Sequence, residues 1–369
     1  MVIIYAQCST FAAVFTLRFS QLSVEEIASQ AHAALQQPLP EWQQHVWQFV
    51  AWWADSSINE IEVHTSGSTG APKAIKHTKQ AMLASAKATC DTLQIPQGCE
   101  ALLCLPANKI GGMMMIVRSI YNRMDLLCIQ PSARPIEALA AEHKIYFAAF
   151  TPMQIQHIKD DYSVFMKLEG INTVLLGGEA INPLAASYMP RLLNNVYATF
   201  GMTETISHIA LKKVNGINPD TYYTTLQGIT IAADDRSCLV IDAPALNVHQ
   251  LQTNDIVNLI GTTQFEWLGR YDNVINTGGI KLYPESIELK LLPHMEAPFF
   301  ITGKNDKTTG QKPVLVIEKE KLSSAEIEEL NNIFQHLDKY ERPREIINVR
   351  QFARTGNGKI DRNRTMATV

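Results

Sequence analysis

The stretch His64-Thr65-Ser66-Gly67-Ser68-Thr69-Gly70-Ala71-Pro72-Lys73 constrains this chain more than any other. It interleaves hydroxyl side chains with two glycines, after a β-like run at residues 60–63 and ahead of a helix expected over residues 79–93. Gly67 and Gly70 allow the backbone to turn so that several N–H groups face one anion, while Ser66, Ser68, Thr69 and Lys73 add donors and a positive charge. A strand, an anion-cradling turn and a helix in that order suit phosphate chemistry in an α/β protein; the plain alternative is a polar turn.

The rest of the chain continues that pattern. Strand-like runs at residues 101–105, 125–129, 146–150, 173–176 and 196–200 alternate with helical stretches, as in a largely parallel sheet. Ser23 followed by Glu26 caps a helix over residues 24–36, which Pro38 and Pro40 end. Trp42, Val46, Phe49, Val50 and Trp53 then form one helical face over residues 41–54, read as core. Short runs broken by Gly228, Pro244 and Gly261 indicate a small antiparallel β subdomain at about 217–268. After Arg270 the texture becomes a small α+β module, with helices near 284–291 and from Ser323 and strands near 299–302 and 314–317. The expected organisation is an N-terminal domain over 1–271 and a C-terminal domain over 272–369.

A formal net charge of −4 and the lack of long like-charge runs argue against nucleic acid as a partner and for small molecules. Six cysteines without a CxxC pair, several inside apolar runs, read as reduced core thiols of a cytoplasmic protein. Residues 1–17 lack the basic start of a signal peptide and read as β-rich, and no apolar run is long enough to insert in a membrane. The oligomeric state is not legible.

The loop lacks the Ser or Thr that follows the lysine of a Walker A motif, since Ala74 stands there. Later segments supply its context: Gly177-Gly178-Glu179, Phe200-Gly201-Met202-Thr203-Glu204, Asn254-Asp255, Gly269-Arg270-Tyr271-Asp272, Gly278-Gly279 and Gly356-Asn357-Gly358-Lys359. In that order these segments resemble the signatures of the adenylate-forming superfamily, which includes acyl-CoA synthetases, luciferases and peptide-synthetase adenylation domains.

The resemblance implies a large α/β N-terminal domain with a reduced first subdomain and a small mobile α+β C-terminal domain hinged at Asp272. It implies ATP, Mg2+ and coenzyme A, with Thr65, Ser66, Gly67, Ser68, Thr69, Gly70 and Lys73 around the β and γ phosphates. Gly177, Gly178, Glu179, Phe200 and Gly201 would lie at the adenine, Thr203 near the α phosphate, and Asp255 and Arg270 at the ribose. Glu204 would hold Mg2+, Lys359 would contact the carboxylate and α phosphate during adenylation, and Gly278 and Gly279 would line the pantetheine tunnel.

Within the superfamily, Leu105-Pro106-Ala107-Asn108-Lys109-Ile110-Gly111-Gly112 through Arg118 resembles the 2-succinylbenzoate CoA ligases of menaquinone biosynthesis, with Asn108 or Lys109 where a histidine is common. Such an acid keeps one carboxylate unreacted, for which Lys109 or Arg118 is the candidate cation; an Arg118 paired with a structural carboxylate is the alternative. Two rivals remain open, another aryl- or acyl-CoA ligase and a non-catalytic nucleotide-binding protein.

Overall fold

The computed structural model of the protein describes residues 14–64, 73–156, 158, 161–179, 181, 188–295, 297–354 and 360–369. Two compact units emerge. The first holds the described residues before the loop together with Ala74–Ile229 and Ala243–Val248.

That unit begins with β1 (Val14–Arg18), α1 (Val24–Leu35) and α2 (Glu41–Ala54). The capping box that Ser23 and Glu26 promise is present, with both reciprocal bonds made. On α2 the residues Val46, Phe49, Val50 and Trp53 are buried, and Phe15 of β1 stacks on Trp47 with ring centroids 5.1 Å apart. The aromatic stripe is core, as its helical spacing implies.

Next come β2 (Glu60–His64), β3 (Ala74–Thr78) and α3 (Lys79–Thr92). β2 and β3 pair antiparallel from Glu60↔Thr78 to His64↔Ala74 as a two-stranded sheet. The strand β3 is an addition to the sequence reading, which ran from loop to helix directly. Its polar sequence Ala74-Ile75-Lys76-His77-Thr78 hides a period-two pattern whose inward positions are Ile75 and His77, opposite Val63 and Ile61.

The remaining elements are β4 (Glu100–Leu103), α4 (Ile110–Tyr121), β5 (Asp125–Ile129), β6 (Ile145–Phe150), α5 (Pro152–Ile155), α6 (Tyr162–Glu169), β7 (Thr173–Leu176), β8 (Asn195–Gly201), β9 (His208–Lys213) and β10 (Tyr223–Thr225). The strand order is β1-β5-β4-β6-β7-β8-β9-β10. The five strands from β5 to β8 run parallel, and β1, β9 and β10 are antiparallel additions. Parallel strands covered on both faces need continuous apolar runs. Leu102, Leu127, Ala148, Phe150, Val174, Leu176 and Val196 supply them and form one buried cluster.

The second unit comprises Lys73 and the described residues of Thr230–Asp242 and His249–Val369. Its strands β11 (Thr230–Ala233), β12 (Cys238–Ala243), β13 (Val248–Leu259) and β14 (Gln264–Arg270) lie in the order β14-β13-β12-β11. β15 (Ile275–Thr277), β16 (Ile280–Leu282), α7 (Pro284–Leu291), β17 (Phe299–Asp306), β18 (Gly310–Glu318), α8 (Ser324–Phe334), β19 (Ile346–Val349) and α9 (Arg362–Met366) follow. Their sheet runs β16-β15-β18-β17 with β19 parallel to β18. Ile287 and Leu291 of α7 pack with Ile301, Leu315, Leu330 and Phe334 in its core.

Among the described residues Cys90, Cys99, Cys104, Cys128 and Cys238 are free thiols, and no helix is long and apolar enough to cross a membrane.

Candidate functional site

In a parallel sheet, groups that must meet a ligand collect where strands end and loops begin. β7 and β8 are parallel neighbours with Leu176 opposite Ala198. Gly177 therefore leaves β7 beside Thr199 of β8. A Cβ on Gly177 would lie 2.4 Å from the Thr199 hydroxyl, which itself donates to the Leu176 carbonyl at 3.1 Å. The absent side chain of Gly177 has a structural reason inside the sheet, whatever binds above it. Gly178 and Glu179 follow as exposed residues.

Along β8, Phe200 is half-buried with its ring edge-on to Tyr223, centroids 5.8 Å apart. The chain then turns sharply. Thr203–Thr205 form a single 3-10 turn, and Ile206 follows at φ 67°, ψ −54°. The Ser207 N–H donates to the Thr205 carbonyl at 2.6 Å, which makes Ile206 the centre of a γ-turn at positive φ. Such backbone on a buried, β-branched residue costs on the order of 1–3 kcal/mol and persists only where neighbours over-determine it. Here the neighbours are visible. The buried Thr205 hydroxyl accepts from the Met202 N–H at 3.0 Å and lies 2.8 Å from the Ser207 carbonyl.

Gly201 completes the constraint, because a Cβ there would lie 2.3 Å from the Ser207 carbonyl oxygen and 2.5 Å from the His208 Cα. Backbone atoms cannot rotate aside as a side-chain tip can. Gly201→Ala is thus expected to lower unfolding stability by about 1–3 kcal/mol, read as a reduced urea midpoint. An unchanged midpoint would mean that the turn shifts freely.

The turn delivers two sets of groups. On one side, Thr203 and Glu204 face the buried His77 of β3. Burial lowers the His77 pKa, while the Thr203 backbone and the Glu204 carboxylate favour its charged form. The His77 Nε2 is buried and without a hydrogen-bond partner among the described residues. Glu204 is exposed.

On the other side, Ser207 and His208 meet Arg118 of α4. Arg118 is 2% exposed. Its Nη2 donates to the Ser207 Oγ at 2.7 Å and lies 3.4 Å from the His208 Nδ1. Its Nε is buried without a partner, and among the described residues no carboxylate lies within ion-pair distance of it. Burial pulls the guanidinium down to about 10, and burial together with Arg118 holds His208 well below its ordinary value. Asn108 and Lys109 belong to the opposite end of α4. Lys109 is its exposed N-cap residue, nine positions and about 14 Å along the axis from Arg118, so the helix does not bring the two cations together.

In the second unit Asp255 and Arg270 are directly opposite on β13 and β14. The Asp255 carboxylate accepts from the Trp267 Nε1 at 3.0 Å and from the Arg270 Nη1 at 3.3 Å. Asp272, exposed, accepts from the Asn254 Nδ2 at 3.3 Å and lies 3.7 Å from Arg270. The residues read from separate motifs thus form one polar cluster, in which each Asp255 oxygen takes one of these two bonds.

Gly278 and Gly279 are the central residues of the β15–β16 hairpin, at φ 60° and 85°. Positive φ at both positions is what a type I′ turn demands, so the backbone alone calls for glycine here. Arg362, which closes the Lys359 motif, is committed to structure. It donates to the Glu288 carboxylate at 2.9 Å and the Ile301 carbonyl at 3.0 Å.

Lys73 is exposed ahead of β3. Thr65, Ser66, Gly67, Ser68, Thr69, Gly70 and Lys359 lie outside the described residues. Sequence reasoning missed His77, Ser207 and His208. The signal for the first was the inward register of β3, and for the others their place just past Thr203-Glu204-Thr205.

Comparison with known proteins agrees with this geometry. A family model described as AMP-binding enzyme matches residues 38–249. The solved structure of an acyl-CoA synthetase (AMP-forming)/AMP-acid ligase II-like protein from Dyadobacter fermentans is 34% identical, covers 96% of this chain and 99% of its own, and superposes with a TM-score of 0.63. An O-succinylbenzoate coenzyme A synthetase from Bacillus subtilis, solved with ATP and a magnesium ion, shares the fold at 20% identity and a TM-score of 0.67, over 83% of this chain and 69% of that one. Among curated relatives, a 2-succinylbenzoate–CoA ligase from Geobacillus sp. is 26% identical over 82% of this chain, and one from Haemophilus influenzae is 26% identical over 72%. The chain spans 67% and 61% of those two relatives' lengths. The matched residues 38–249 are more than half its length and the fold superposes on that of the synthetase: the chain belongs to the AMP-binding enzyme family and has the adenylate-forming fold.

Proposed function

We propose that this protein is an ATP-dependent, AMP-forming acid–CoA ligase whose acid carries a second carboxylate, and that the acid is 2-succinylbenzoate. The observation that carries the acid class is Arg118, a buried cation held by a hydroxyl and an imidazole, with no carboxylate in ion-pair reach among the described residues. A buried charge left to neutral dipoles favours an incoming anion. Relatives of the chain are 2-succinylbenzoate–CoA ligases, and 2-succinylbenzoate is such an acid.

The reaction has two steps. One carboxylate attacks the α phosphorus of ATP in line with departing pyrophosphate, giving an acyl-adenylate; the thiol of coenzyme A then attacks the acyl carbon and AMP leaves. Phe200 stacks on the adenine, Asp255 accepts from the ribose hydroxyls beside Arg270, and the Thr203 hydroxyl binds at the α phosphate. Lys73 and Lys359 stabilise charge on the phosphoryl region, which is positioning and electrostatics more than covalent help. Glu204 fits a Mg2+ ligand. It is exposed, its carboxylate takes no hydrogen bond among the described residues, and Mg2+ needs only one or two carboxylates beside phosphates and water. When bound, the ion would offset the triphosphate's charge. Gly278 and Gly279 admit the pantetheine, and residues 272–369 turn about Asp272 between the steps.

The test is acid-dependent exchange of labelled pyrophosphate into ATP. Exchange that requires 2-succinylbenzoate, with AMP release only once coenzyme A is added, is expected. Binding of ATP without exchange for any acid would contradict the proposal.

A further inference from the structure

The side chains behind Arg118 form a chain with a fixed direction. Thr89, buried on α3, places its hydroxyl 3.1 Å from the Ser85 carbonyl and 3.0 Å from the His208 Nε2. A hydroxyl has one proton. If it went to Nε2, the imidazole proton would sit on Nδ1, which lies 3.4 Å from the Arg118 Nη2. A guanidinium has donors only, so that arrangement sets donor against donor at Arg118; the one acceptor beside Nδ1 is the Ser207 Oγ, also at 3.4 Å, which already receives the Arg118 Nη2 at 2.7 Å. The satisfied arrangement is the reverse. The Thr89 hydroxyl donates to the Ser85 carbonyl, the His208 Nε2–H donates to Thr89, and the Nδ1 lone pair receives Arg118, whose Nη2 also donates to the Ser207 Oγ at 2.7 Å. Charging the imidazole would break the chain at the Arg118 contact.

Cys90, which also faces Arg118, is a buried thiol pushed up to about 11 by burial and so supplies no counter-charge. The cavity of about 30 Å3 that His208 and Ser85 line has room for a water, not for an aryl acid. Arg118 thus has its donors partly directed by neutral acceptors and its buried Nε left over. A receptor for a carboxylate needs that condition, because a protein carboxylate in the place of His208 would satisfy the cation and exclude the ligand.

We propose that Thr89 and His208 form a directional hydrogen-bond relay that keeps His208 neutral in its Nε2–H tautomer and so aims Arg118 at the non-reacting carboxylate of a dicarboxylic acid. This rests on the reading of Arg118 given above and adds Thr89, which touches no substrate, as a positioning residue for acid specificity. Orientation, not charge, is what Thr89 contributes.

Two readouts test it. Long-range 15N–1H correlation spectra of the intact, histidine-labelled protein report the His208 tautomer, assigned by loss of its signals in His208→Asn. The Nε2–H form is expected in the wild type; the Nδ1–H or the charged form would overturn the relay. In steady-state kinetics, Thr89→Val keeps the side-chain volume and removes the hydroxyl. It is expected to raise KM for 2-succinylbenzoate about tenfold, with KM for ATP unchanged and with Thr89→Ser restoring the wild-type value. A folded Thr89→Val with unchanged KM, or with an equal rise for benzoate, would overturn it. The spectra decide the tautomer even if the wild type shows no preference for a dicarboxylic acid, an outcome that would remove the proposed substrate instead.

Discussion

Arg118→Met is expected to lower kcat/KM for 2-succinylbenzoate about a hundredfold, chiefly through KM, and to leave KM for ATP unchanged. The size follows from a charge-assisted bond made in a buried setting, about 2.7 kcal/mol for a hundredfold change. Methionine matches the apolar neighbours Met113, Met114, Met115, Ile116 and Val117, all buried on α4, so the variant exchanges an unpaired buried charge for packing and is expected to fold at least as well as the parent. Stability and activity should then move in opposite directions. A folded Arg118→Met with unchanged KM would remove Arg118 from the acid site and return it to a structural role.

Lys359→Ala should separate the two half-reactions. Pyrophosphate exchange is expected to fall by about 10²–10³-fold, the range for removing one preorganised donor to developing charge. Thioester formation from supplied acyl-adenylate should survive, because that step has no departing pyrophosphate for the lysine to assist. Equal loss of both would mean that Lys359 supports the fold or serves both steps, and it would remove the reason for residues 272–369 to turn between them.

Features written in a few adjacent residues were legible before any coordinates. The Ser23–Glu26 and Ser323–Glu326 capping boxes and the proline at the start of α7 each fix a helix start locally, and the helices begin there. The parallel strands were legible because burial on both faces makes their centres continuously apolar, as in Val174, Leu175 and Leu176 of β7. What escaped depends on partners distant in the chain. β3 is polar in sequence and becomes a strand through its pairing with β2. Ser207 lies 89 residues from Arg118, and His208 lies 119 residues from Thr89, so no window of sequence holds the relay. Lys109 and Arg118, alternative candidates for the cation that meets the acid, lie nine positions apart on α4. Gly177 and the Gly278–Gly279 turn looked like space left for ligands, and each also answers a demand of the backbone or the adjoining strand.

As a member of this family, the protein is expected to activate an acid with a second, unreacted carboxylate. The most direct measurement is coenzyme A-dependent AMP release from ATP, comparing 2-succinylbenzoate with benzoate, 2-hydroxybenzoate and a series of fatty acids by kcat/KM. A preference for 2-succinylbenzoate of about a hundredfold or more, about 2.7 kcal/mol of transition-state discrimination, is expected. Equal activity on a monocarboxylic acid would contradict it.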